Sequence, residues 1–174
     1  MALRISSADM ADFALARAIE ESDALQQPVV LPDAVLARIH RQAGRIVLQG
    51  AALPGMMMSD MHWQTAEAVE IQDHTPSRNI NINFQVRGHM HTHFFGLGRE
   101  LDMRAGRHNL VYVPEEGDNH RIGSRAELEM VHISIDSGHF INLIGSDGAW
   151  SERVLRDIEA GRAAGMVTIA CAWG

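Results

Sequence analysis

The chain is poor in cysteine: Cys171 is the single one in 174 residues, so no internal disulfide can form and no second thiol suggests a zinc cluster. A bystander role is expected for it. Long apolar runs are also missing, since none approaches the roughly 20 residues that a membrane helix requires. No membrane partner is expected. Lys-rich tracts and arginine clusters are absent, and with a formal charge of −7 and a pI near 5.7 the chain lacks the basic footprint for gripping a phosphate backbone by itself. The opening MALRISSADMADFALARAIEESD carries acidic residues where a secretory signal has a basic and then an apolar stretch, so a cytoplasmic protein is expected. There is no Gly-x-Ser-x-Gly elbow, no phosphate-cradling glycine loop and no cysteine paired with an upstream basic cluster, which leaves nucleophilic enzyme chemistry unsupported.

What is present suits one domain with a sizeable core. Residues 7–22 place Ala11, Leu15, Ala18 and Ile19 at helical spacing, and Pro32-Asp33 opens a second helical pattern closed by Gly44. From Arg45 the signal changes to short apolar runs between Gly, Pro and Asn breaks, and about eight strands are expected before residue 136. Two alternations are clearest. Ile80, Ile82, Phe84 and Val86 oppose Asn81, Asn83, Gln85 and Arg87, while Leu128, Met130, His132 and Ser134 oppose Val131, Ile133 and Ile135. The first reads as a half-buried strand or one lining a polar cavity. After Ser137 the period turns helical through HFINLIG and SERVLRDIEAGRAAG, with Ser151 as the expected cap. The organisation is therefore a helical extension over 1–44, a β-barrel over 45–136 and a helical segment over 137–174.

The order of these pieces resembles the cupin-like effector-binding domain of AraC-type transcription regulators, the siderophore-responsive branch above all. Its carriers are Leu53-Pro54-Gly55 before an alternating strand, INFQVRG at 82–88, the run AGRHNLVYVP at 105–114, and a closing helical pair ending near IEAGRAAG, together spanning roughly residues 45–165. The resemblance implies a mainly β fold, a double-stranded β-helix of jelly-roll type with flanking N- and C-terminal helices. It implies a small-molecule effector in the barrel, homodimerisation through the helices, no cofactor, and DNA contact only through a helix-turn-helix region that these 174 residues do not contain.

His89, His91 and His93 recur at every second position ahead of Glu100. Strand residues two apart lie about 6.6 Å apart along the chain, so all three histidines cannot reach one ion whose nitrogen ligands sit at about 2.0–2.1 Å. Adjacent pairs can, if another strand contributes. Two readings stay open. In one, His89, His91 and His93 are a polar strand face that contacts effector, together with Trp63, Asn83, Gln85, Arg87 and Tyr112. In the other, His91, His93, Glu100 and His120 hold one divalent metal in a cupin enzyme of isomerase or dioxygenase type. Neither register of the metal-cupin motifs is complete: six residues separate His93 from Glu100, and the register set by FQVRG puts the ligand positions near His74 and Asn81, without a His-x-His. Met56, Met57, Met58 and Met61 read as core filling or an adaptable pocket wall.

Overall fold

Alternation over short runs, broken by turn residues, buries a face by packing sheet on sheet or under a helix, and a computed structural model shows both. It describes residues 2–6, 29–30, 43–73, 79–97, 99–112, 117–145, 148–160 and 164–168. The helices expected over 7–22 and from Pro32, and Cys171, lie outside these residues. The strands are β1 (Leu3–Ser6), β2 (Val29–Val30), β3 (Arg45–Leu53), β4 (Met56–Gln64), β5 (Val69–Asp73), β6 (Asn79–Arg87), β7 (His89–Phe94), β8 (Arg99–Arg104), β9 (Arg107–Tyr112), β10 (Asp118–Ile122), β11 (Glu127–Asp136) and β12 (Ala164–Thr168). Two helices, α1 (Ser137–Ile144) and α2 (Ala149–Glu159), follow β11.

One sheet runs β1-β5-β10-β7-β8 and the other β12-β9-β6-β11-β4-β3-β2. Within these orders, β4 to β11 shuttle between the sheets as two interleaved Greek keys, which is the jelly roll. The expected fold class is met. Nine strands fall between residues 45 and 136 where about eight were read, and three more, β1, β2 and β12, extend sheet edges from the terminal segments. Added edge strands cover unpaired backbone groups that would otherwise template pairing with other chains. Gly88 makes the tight β6–β7 turn at φ 80°, where a Cβ would lie 2.1 Å from the Glu127 carbonyl oxygen, so only glycine fits.

Two larger cores flank the second sheet, and a smaller apolar cluster of Phe94, Leu101 and Val111 bridges the two sheets beside the first. Between the sheets, Ile46, Leu48, Trp63, Val69, Met90, Met103, Ile122, Leu128 and Met130 pack together. On the outer face, Ile80, Tyr112 and Ile135 pack under Phe140 of α1 and Ile158 of α2. Asp136 caps α1 by accepting from the Gly138 and His139 amides at 2.9 and 3.1 Å. Ser151 is not the cap of α2. Gly148 holds that position, and the Ser151 hydroxyl accepts from the Gly148 amide at 3.1 Å and donates to its carbonyl at 2.8 Å.

Candidate ligand site in the polar half of the barrel

The strand β6 inverts the usual rule: its apolar row faces outward, where the helices cover Ile80 and Ile82, and its amide row faces the barrel interior. Phe84 and Val86, beyond the helices, remain exposed. Register then gathers the amides. Asn83 pairs with Asn109 on one side and His132 on the other, and its Nδ2 donates to Asn109 Oδ1 at 2.8 Å. Asn109 Nδ2 in turn donates to the Met103 sulfur at 3.2 Å. Asn81 Oδ1 accepts from His132 Nε2 at 3.2 Å, and Asn79 Nδ2 donates to the Ser134 hydroxyl at 3.1 Å.

The opposite wall is β10 and β7. His120 Nδ1 lies 2.8 Å from the Thr92 hydroxyl, its ring meets Phe94 edge-on, and its Nε2 lies 3.1 Å from Asp118 Oδ1. That last approach is close but poorly aligned: Asp118 Oδ1 is buried and finds no hydrogen-bond donor among the described residues. Burial holds the His132 imidazole down to about 4, helped by the charge of His120 and opposed by that of Asp118. His132 is therefore neutral near pH 7. A cleft of about 530 Å³ lies where these rows end, between the Pro54-Gly55 turn, Asn79, Ser134 and the start of α1. A neutral imidazole, amides and hydroxyls offer both donors and acceptors, with Asp118 as the acidic member.

The residues expected to contact effector are scattered by the fold. Asn83 stands in the polar interior. Gln85 is buried beside it, where Nε2 donates to the Arg87 and Glu129 carbonyls at 2.6 and 3.3 Å and closes a β-bulge opposite Glu129 and Met130. Its Oε1 has no donor among the described residues. Trp63 is 1% exposed in the apolar core and donates to the Ala43 carbonyl at 2.9 Å. Tyr112 packs beneath α2 on the outer face, with its hydroxyl 3.5 Å from the Ile158 carbonyl. Arg87 is exposed, 3.4 Å from Glu127 and 3.9 Å from Glu129. His89, His91 and His93 alternate with buried Met90, Thr92 and Phe94, so they point out of the barrel. The four residues of the metal reading are divided likewise: His91, His93 and Glu100 face outward, while His120 bonds the inward Thr92.

Asn81, Asn109, Asp118 and His132 were not singled out as contacts. The signal available for two of them was the amide row of β6 and the change within one row of β11 from Leu128 and Met130 to His132 and Ser134.

No protein-family model matches this chain, and no curated protein does. Solved structures do show similarity. A cupin protein from Bacteroides fragilis is 19% identical with a TM-score of 0.40, covering 49% of this chain and 70% of that one. A cupin superfamily protein from Desulfitobacterium hafniense is 10% identical with a TM-score of 0.43, over 53% and 79%. The cupin_2 domain of an XRE family transcriptional regulator from Enterobacter cloacae is 9% identical with a TM-score of 0.39, over 52% and 95%. Superpositions this loose carry no functional weight, and the jelly roll follows from the strand order itself. No helix among the described residues is long and apolar enough to cross a membrane.

Proposed function

We propose that this chain is the small-molecule-sensing and dimerisation domain of an AraC-like regulator, and that its effector is a small polar molecule bound in the polar half of the barrel. The observation that carries this reading is the gathering of Asn81, Asn83, Asn109 and His132 from three adjacent strands, with His120 of the facing sheet near enough for its charge to act on His132. Buried polar groups cost stability unless each is satisfied, and Asp118 Oδ1 in this half has no hydrogen-bond donor among the described residues, so it can accept from an added partner. Homodimerisation accords with the exposed Leu143 and Trp150 on the helices. The organic effector suffices without a cofactor.

Native mass spectrometry of the untagged protein, followed by thermal shift over a broad metabolite set, tests the reading. A dimer carrying an organic mass, or a metabolite that raises the melting midpoint of the wild type and not of Asn83→Ala, is the expected result. A monomer with no response, or metal-dependent turnover lost in His120→Ala, would overturn it.

A further inference from the structure

The outer face of the first sheet holds a second arrangement, unrelated to the barrel interior. His91 on β7 stands directly across from Asp102 on β8, and His89 lies diagonal to it. Both rings turn toward one carboxylate oxygen: His89 Nε2 hydrogen-bonds Asp102 Oδ1, and His91 Nδ1 lies 3.8 Å from the same atom. The ring centroids are 4.3 Å apart, and one ligand atom from each of the three residues falls within 4.8 Å of the others. A tetrahedral ion with ligands at about 2.0–2.1 Å separates its donors by roughly 3.3 Å, a spacing that small side-chain rotations reach from here. The other carboxylate oxygen is occupied. Arg104 Nε donates to Oδ2 at 2.8 Å and Arg107 lies 3.7 Å from it, so the carboxylate is held with Oδ1 toward the histidines.

The next pair on the same strands supplies a contrast. His93 stands across from Glu100 in equivalent register, yet Glu100 pairs with Arg121 and His93 meets the edge of Phe95 at 5.5 Å. A polar strand face needs no convergence, and only the upper pair has it.

We propose that His89, His91 and Asp102 form a surface site for a late first-row divalent cation such as zinc, with its remaining position open to water or to a group on another molecule. Two imidazoles and one carboxylate suit zinc, cobalt, nickel or copper, whereas calcium and magnesium prefer oxygen shells. The nearby Arg104 and Arg107 weaken the field at the site and favour modest affinity. The ion clips β7 to β8 at the sheet edge and stabilises the folded chain by mass action.

The test is calorimetric titration of the chelator-treated full chain with zinc chloride, alongside cobalt absorption spectra, for the wild type and four variants. One ion per chain is expected, with affinity reduced at least tenfold in His91→Ala and in Asp102→Asn and retained in His93→Ala and His120→Ala. Circular dichroism melts of the zinc-free variants establish that each is folded. No binding by the wild type would overturn the proposal. So would binding that survives in His91→Ala and Asp102→Asn, or that is lost only in His93→Ala or His120→Ala; loss in His120→Ala would place the ion in the barrel instead.

Discussion

The two halves of the barrel interior come from the same strands and differ only in level. Along β11 the inward row reads Leu128, Met130, His132, Ser134; along β4, opposite it, Trp63, Met61, Ser59, Met57; along β10, Ile122, His120, Asp118. Register brings the polar members together: His132 beside both Ser59 and Asn83, Asn83 beside Asn109, His120 beside Thr92. Periodicity decides which face a side chain takes, and pairing decides which residues share a layer. A site in such a barrel is therefore a layer rather than a strand. The lower half needs volume, whereas the upper half, where Phe94, Leu101 and Val111 pack beside the amides and imidazoles, also needs hydrogen-bond partners, so each should respond to a different perturbation.

The largest effect belongs to the apolar half. Trp63→Ala removes a buried indole from the core and orphans the Ala43 carbonyl, so a loss of about 3–5 kcal/mol is expected in denaturant melts. A loss below about 1 kcal/mol would mean that this half is loosely packed and that the contrast fails.

The polar half should answer to pH. His132 is held down to about 4 by burial, first, with the charge of His120 opposing protonation and that of Asp118 favouring it, against about 6.5 in the unfolded chain. The unfolded state thus takes up a proton first. Stability is full above about pH 6.5, falls as pH drops toward 4, and levels off below, for a total of roughly 3 kcal/mol. His132→Gln should flatten this part of the profile, and parallel wild-type and variant curves between pH 7 and 4 would show that His132 is not desolvated.

The alternations of β6 and β11 were legible in sequence, as were both C-terminal helices and the fold class, because period 2 and period 3.6 are local signals. Which face was inward stayed open. On β6 the alternation fits a half-buried strand or one lining a polar cavity, and packing settles it: the apolar row lies under α1 and α2 on the outside, leaving the amides to the barrel. On the histidine strand, burial of Met90, Thr92 and Phe94 turns His89, His91 and His93 outward as a polar face, and only the β7–β8 pairing brings His89 and His91 to Asp102. Asp102 follows Glu100 by two residues in sequence, but its approach to the histidines depends on hairpin register and on the arginines that orient it.

A smaller effect sharpens the comparison within the polar layer. Asn83→Ala leaves Asn109 Oδ1 without its 2.8 Å donor at a buried position and should cost about 1–2 kcal/mol. In a double-mutant cycle with Asn109→Ala the pair should show coupling above about 0.5 kcal/mol, and additivity would mean that the amides act separately.

The smallest change expected is Arg87→Ala. Arg87 lies past the bulge of β6 and meets Glu127 and Glu129 at the surface at 3.4 and 3.9 Å, where water and salt screen both contacts. Stability should shift by no more than about 0.5 kcal/mol, and any effector-induced rise in melting midpoint should survive. Arg87 and Asn83 alternate on one strand and were equal candidates as ligand contacts, so the pair of variants asks whether position in the row or position in the barrel determines function. Loss of the effector response in Arg87→Ala, with the response intact in Asn83→Ala, would move the site out of the polar layer to the rim beside Gly88, and the two halves of the interior would then differ in packing alone.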